Sequence, residues 1–504
     1  MSSDAPVFRI AEIDCFERPL HYRLPFRFGA ATVSQGVQAF VRVRIVTEDG
    51  RSAQGASAEL MVPKWFDKRP QVSNDDNIDE LRTSLAIARA AYLSDRAPRS
   101  AFAHCAAHMA ECQAAGYRRD LPALAAAFGA AEIDKAVLDA LCNALGISFF
   151  AAVQGNAVGF APAELATDVN DAEGDAFVRA LRPRESIAVR HTIGLADVLR
   201  GHPAMVGDGL PESLEEVIAR YGVHWFKIKL AGDAHTDAAR IGDIARVLER
   251  LPHYGVTLDG NEQYESVEAL HELLDELKAT PALGRFVTSL AFVEQPLPRQ
   301  RTFEAGVEAL APAALLIDEA DATIDAFPRA RALGYTGVSS KSCKGLYKSL
   351  VNALRCAAWN RVGARRYFLS AEDLTTPAGL ALQQDLALAS VLGVEHIERN
   401  GHHYIDGMAG ASEREQASFL DVHRGLYERS RRRAARHSRR HARAALAVAA
   451  GFRQRRGPRL GRTRADARAR IGSAVRDATK RAGSDRLVNV TEQPTWQRNV
   501  SASS

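Results

Sequence analysis

Five short apolar runs in the middle of the chain carry an ionisable side chain at or next to their last position. They are Lys229 in WFKIKL (225–230), Asp259 in GVTLD (255–259), Glu294 in LAFVE (290–294), Asp318 in ALLID (314–318) and Lys341 in TGVSSK (336–341). Three carboxylates brought together repel one another unless a cation lies among them. Oxygen-only ligation selects a hard ion, Mg2+ first and Mn2+ as an alternative, with open positions for water or substrate. Beside such an ion and each other, Lys229 and Lys341 should have depressed pKa values, leaving one neutral amine as a base near neutral pH. A substrate carboxylate chelated there would show its α-carbon to both lysines. One removes the α-proton, and the other returns a proton to the opposite face. The bland alternative pairs the acids and lysines as structural salt bridges, which would bury several charges at a large desolvation cost.

Such chemistry needs strands that end in one place. Strand side chains alternate faces, so Lys227 and Lys229 share one side while Phe226, Ile228 and Leu230 share the other. Three further runs complete a series of eight strand–helix units: SIAVRHT (186–192), RYFLS (366–370) and VEHIE (394–398). Eight such units in this span predict an α/β fold, a parallel (β/α)8 barrel of the TIM type, in which functional groups collect where the strands end. The second and sixth strands then face each other across the barrel axis. Upstream, VQAFVRVRIVTEDGRSAQG alternates apolar and polar and turns at Asp49-Gly50, predicting an antiparallel sheet within 8–50. Residues 75–160 read as mostly helical, with EIDKAVLDALCNALG closing on Gly146.

These motifs together resemble the enolase superfamily, in its mandelate racemase and muconate lactonizing enzyme branches; its lysine base and Mg2+ are general knowledge. The resemblance covers roughly residues 8–428. KIK (227–229) is similar to the family's Lys-x-Lys, which makes Lys229 the base. DGN (259–261), VEQP (293–296) and IDEA (317–320) are similar to the ligand motifs, implying Asp259, Glu294 and Asp318 as metal ligands with Asn261 nearby. SSKSCKG (339–345) resembles the sixth-strand lysine motif, implying Lys341 as the second acid/base. Lysines on both faces favour the lactonizing-enzyme branch, which includes cycloisomerases, dipeptide epimerases, acylamino-acid racemases and succinylbenzoate synthases. The interval before the fourth strand, around KATPALGRF, is longer than the family's usual one and reads as a surface insertion.

The resemblance also implies an α+β capping domain at 1–165, a modified barrel at 166–405 and a return segment at 406–428. Cap loops at about 25–36 and 55–68 would close over the site and select the substrate. Lys227 either assists electrostatically or lowers the pKa of Lys229. Glu372 in LSAEDL is a candidate for contacting substrate or the sixth-strand lysine. His402 and His403 in RNGHHYIDG are turn and packing residues or reach the substrate. His104, His108 and Glu111 or Cys112 share a helical face without a clear fourth zinc ligand.

Apolar content of 46% and charged content of 25% suit a globular protein. No run approaches a membrane span, the N-terminus lacks a signal-peptide core, and six cysteines without framework spacing fit a reducing cytoplasm. The net charge of +4 is unevenly distributed. Residues 429–504 hold 21 Lys+Arg against 4 Asp+Glu, while 1–428 hold 44 against 57. Composition predicts a disordered Arg-rich tail. Its abrupt onset, 16 arginines and no lysine between 429 and 470, matches a shifted reading frame in a GC-rich gene better than a nucleic-acid-binding arm. The sequence therefore predicts Mg2+-dependent abstraction of a proton α to a small-molecule carboxylate, through a metal-stabilised enediolate, by a racemase, epimerase or cycloisomerase. A sugar-acid dehydratase is the alternative enzyme, and a non-catalytic barrel with a nucleic-acid-binding tail the alternative class. A homo-oligomer is expected.

Overall fold

A computed structural model describes residues 5–29, 31–202, 205–423, 426–430, 443–446, 452–453 and 488–489. The N-terminal region is an antiparallel sheet of β1 (Phe8–Phe28), β2 (Ala31–Thr47) and β3 (Ser52–Met61). Its alternation is the one read in the sequence. Ala39, Val41, Val43 and Ile45 are buried, while Arg42 and Arg44 pair across strands with Asp14 and Glu12. Helices α1 (Asn74–Ser94), α2 (Ala101–Tyr117) and α3 (Ala123–Leu145) cover the buried face. α3 is buried almost all round because alanine lets its neighbours approach closely, and it ends on left-handed Gly146.

The second body is a closed eight-stranded parallel barrel. Its strands are β4 (Ser186–Ile193), β5 (Trp225–Lys229), β6 (Gly255–Asp259), β7 (Leu290–Glu294), β8 (Leu315–Ile317), β9 (Gly337–Ser340), β10 (Phe368–Glu372) and β11 (His396–Glu398). Closure comes from β11 pairing with β4, Ile397 opposite Val189. Outward residues such as Phe226, Ile228, Val256, Leu258 and Val338 pack under the surrounding helices. Inward residues sort by height. At the N-terminal end Trp225 stacks on His396 with centroids 3.9 Å apart, and Phe292 meets Phe368 at 5.3 Å. Two glycines make room for them: a Cβ on Gly255 would lie 2.4 Å from Trp225, and one on Gly337 2.5 Å from Phe368. Above this aromatic plug, toward the strand ends, the interior turns ionic.

The segment KATPALGRF is mostly exposed, as expected of a surface stretch, but two of its side chains anchor it in the core. It folds as a 3-10 turn (Pro281–Leu283) and a helical turn (Gly284–Thr288), with Leu283 and Phe286 buried in the barrel core. The return segment forms helix Glu413–Val422, whose Glu415 receives both terminal nitrogens of Arg18 from β1. The predicted tail falls almost wholly outside the described residues. Of it, Arg443–Leu446 pairs with Tyr427–Ser430, Phe452–Arg453 with the start of β4, and Val488–Asn489 with β1. No described helix is long and apolar enough to cross a membrane.

Candidate active site

Each barrel strand delivers its inward residues in register, so ends two residues apart stack into layers. Lys229 and Asp259 are directly paired neighbours on β5 and β6, as are Asp259 and Glu294 on β6 and β7. Asp318 and Lys341 sit one residue beyond β8 and β9, and Glu372 ends β10. All are buried.

Lys227 is the hub. Its Nζ lies 2.8 Å from Asp259 Oδ2, 2.8 Å from Glu294 Oε2, 3.1 Å from Glu372 Oε2 and 2.8 Å from Glu398 Oε2. Lys229 Nζ donates to Asp259 Oδ2 at 2.6 Å. On the facing strand, Lys341 Nζ donates to Asp318 Oδ2 at 2.6 Å and Glu372 Oε2 at 2.7 Å. The cap supplies an aromatic ring near each of these two amines: Phe28 at 6.0 Å from Lys229 Nζ, Trp65 at 5.0 Å from Lys341 Nζ. Two strand ends opposite one another therefore each bring an amine to one shared group of carboxylates.

The electrostatics follow from who faces whom. Burial pushes Glu294 up, Asp259 and Glu372 push it further, and its proton affinity rises well above the ordinary carboxylate range. Burial also acts on Glu372, but Lys227, Lys341 and Arg190 outweigh it and hold that carboxyl well below. Asp318 is held low by Lys341 and Lys344 against burial, and Asp259 by Lys227 and Lys229. For Lys341 burial favours the neutral amine, yet Asp318, Glu372 and Glu294 prevail and raise it well above its usual value. The depressed value expected from the sequence belongs to a site that holds a dication, whereas this direction reflects the protein's own side chains. With carboxylates as its close partners, the ammonium form wins.

The donor set suits a hard divalent cation. One oxygen from each of Glu294, Asp318 and Glu372 lies within 4.8 Å of the other two, all three residues buried. The ligands are oxygen only, and the crowding that raises Glu294 is relieved by positive charge. Asp259 stands beside this trio, its Oδ2 shared by Lys227 and Lys229. Asn261 braces it from a left-handed backbone (φ 42°): its N–H donates to Asp259 Oδ1 at 2.9 Å and its side-chain amide to Glu319 at 3.2 Å.

Solved structures share this architecture. Muconate lactonizing enzyme from Pseudomonas fluorescens, in complex with muconolactone, superposes with a TM-score of 0.51 at 16% identity, over 77% of this chain and 87% of that one. An enolase from Streptomyces coelicolor gives 0.51 at 17% identity, over 93% and 98%. At 16% and 17% identity this likeness is one of fold. No family model and no curated protein matches the chain.

The cap reaches the barrel mouth with the end of β1 and the segment after β3; the two stretches expected to be loops, 25–36 and 55–68, are largely strand, since β1 runs to Phe28, β2 starts at Ala31 and β3 runs to Met61. Lys68 reaches down to Asn261 O at 2.6 Å, Glu262 at 2.7 Å and Glu319 at 3.2 Å. Arg299 reaches up from the barrel to the carbonyls of Trp65 and Phe66, both at 2.9 Å. Phe28, at the end of β1, precedes the β1–β2 turn.

Several contributors escaped the sequence reading. Arg190, inward on β4, donates to Glu372 at 2.8 Å. Glu398 ends β11 and accepts from Lys227, Thr192 and Asn400. Lys344 folds back on a 3-10 turn to Ser339 Oγ at 2.7 Å and Asp318 Oδ1 at 3.4 Å. Gln295 (φ 31°) accepts from the N–H groups of Asp318 and Ala320, fixing the loop that carries Asp318. The alternation of SIAVRHTI and the final Glu of VEHIE were the available signals for Arg190 and Glu398; nothing local marked Lys344.

Other candidates resolve as packing. His402 and His403 lie outside the barrel against His191, the first with Nε2 3.2 Å from His191 Nδ1. His104 Nε2 bonds Phe8 O at 3.0 Å, His108 packs on Tyr92, and Glu111 is exposed. Among the described residues the groups suited to a metal do not include this helix face.

Proposed function

We propose that the chain catalyses removal of a proton α to the carboxylate of a small-molecule substrate, as a racemase, epimerase or cycloisomerase. The observation that carries this reading is the opposed pair: Lys229 and Lys341 sit on β5 and β9, four strands apart in a closed ring of eight, and each touches a carboxylate of one buried cluster. Glu294, Asp318 and Glu372, with Asp259 adjoining, would hold the ion, Mg2+ or Mn2+. Bound there, a divalent cation supplies charge neutralisation for the substrate carboxylate as its α-proton departs. The amine form of one lysine takes that proton onto Nζ, and the ammonium of the other delivers one to the opposite face. Lys227 helps keep Asp259 and Glu372 ionised beneath the substrate, and the cap rings Phe28 and Trp65 exclude water above it.

The test is solvent deuterium incorporation at the α-carbon across a panel of dipeptides, acylamino acids, lactone-forming diacids and sugar acids with Mg2+. Exchange should appear with at least one class and fall by about 10^2 to 10^4-fold in Lys229→Ala and in Lys341→Ala. Exchange that survives both substitutions defeats the assignment. Loss of water from the substrate, in place of isomerisation, would move the chain to the dehydratases.

A further inference from the structure

Next to Lys341 a second ionic group lies at the junction of cap and barrel. Lys135 of α3 is buried, and its Nζ lies 2.8 Å from Glu132 Oε1, 3.5 Å from Glu59 Oε2 on β3 and 3.1 Å from Ala58 O. The same Nζ donates to Ser342 Oγ at 3.1 Å. Ser342 in turn donates to Asp385 Oδ1 at 2.6 Å, on helix Leu380–Val391. Three acids around one lysine, all buried, carry a desolvation cost that good pairing geometry must offset.

Its position ties it to Lys341. Ser342 follows Lys341 directly, and the chain turns there through a single 3-10 turn before Gly345 (φ 106°). Lys341 is directed into the barrel, and Ser342 is directed out toward α3. Lys344, two residues on, is tied back to Ser339 and Asp318. The turn is thus held at two points, one inside the barrel and one on the cap. A shift of about 1 Å in a reacting group can cost on the order of 100-fold in rate, so whatever pins this turn sets the acid/base lysine.

We infer that Lys135 of the cap is a positioning residue for Lys341, acting through the Ser342 hydroxyl, so that cap seating and placement of the sixth-strand lysine are one event. This rests on the reading of Lys341 as an acid/base group. It also separates the two faces of the reaction, because among the described residues Lys229 pairs with Asp259 and not with this group.

The test compares the two faces. In Ser342→Ala, exchange from the substrate enantiomer served by Lys341 should fall about 10 to 100-fold, with exchange from the other enantiomer within about twofold of wild type and KM unchanged. Ser342→Thr should restore the ratio. The double variant Lys135→Met with Glu132→Gln, which removes the ammonium together with its nearest acid, should repeat the one-sided loss. An equal fall on both faces, or none, overturns the inference. Crystal structures of wild type and Ser342→Ala decide it without turnover. Lys341 Nζ should leave Asp318 and Glu372 in the variant, and unchanged contacts overturn the inference. If wild type exchanges no member of the panel, the proposed function fails, while the crystallographic comparison still decides the positioning.

Discussion

The barrel mouth and the helical core of the cap both bury carboxylates, with opposite outcomes. In the mouth, Asp259, Asp318 and Glu372 each face at least two cationic nitrogens, and their proton affinities are depressed despite complete burial. In the cap, Asp134 on α3 faces the Tyr92 hydroxyl at 2.8 Å, and burial pushes its pKa up to about 7. Glu132, one lysine notwithstanding, is also pushed up to about 7 by burial. Burial alone makes an acid neutral; only a built-in cation keeps it charged. The mouth is therefore organised to hold negative charge ready for a partner, and the cap core is not. Glu294 is the member of the mouth that breaks the pattern, and it belongs to the trio suited to a metal.

Removing a cation from the mouth should have the largest effect. Lys341→Met strands Asp318 and Glu372, so beyond the loss of exchange the folded state should lose about 3–5 kcal/mol in urea unfolding. A stability equal to wild type would mean that those acids do not need the ammonium. The corresponding change in the cap has the opposite sign. The folded-state pKa of Asp134 lies above its unfolded value, so the native protein binds the extra proton between about pH 4 and 7. Stability is thus forfeited as pH rises through that window, by about 4 kcal/mol for a shift from 3.8 to about 7. Asp134→Asn keeps an acceptor for Tyr92 and removes the ionisation. It should be more stable than wild type at pH 8 and nearly equal at pH 4.5. Parallel unfolding curves at the two pH values would refute the assignment.

The same contrast explains what the sequence could disclose. Strand runs such as GVTLD and LAFVE mark themselves, being short, β-branched and bounded by turns, and both occupy the predicted residues. RYFLS was placed two residues early, which made Glu372 look like a loop residue when it ends β10. In a barrel both strand faces are buried, so periodicity alone does not rank the polar residues that turn inward; the alternation of SIAVRHTI offered Arg190 without saying that it meets Glu372. The convergence of Glu372 with Glu294 and Asp318, with Asp259 left to the lysines, depends on distances across the barrel that no local pattern encodes. Phe286 shows the same limit: a Pro- and Gly-bearing stretch reads as loop until tertiary burial claims its ring.

The smallest effect sharpens the comparison most directly, because it asks the mouth alone to respond. A ligand that binds only the native state stabilises it by about 2.7 kcal/mol at a hundred times its Kd. Mg2+ should therefore raise the Tm of wild type, while the same ionic strength of NaCl should not. Glu294→Gln removes the acid that its neighbours crowd, so this variant should melt at or above wild type without Mg2+ and gain little when it is added. Asp134→Asn, changed in the cap, should keep the full Mg2+ response. A Mg2+ shift that is equal in wild type and Glu294→Gln would place the ion elsewhere. No shift in wild type would mean that the lysines already satisfy the mouth, and that its acids are held apart from metal chemistry altogether.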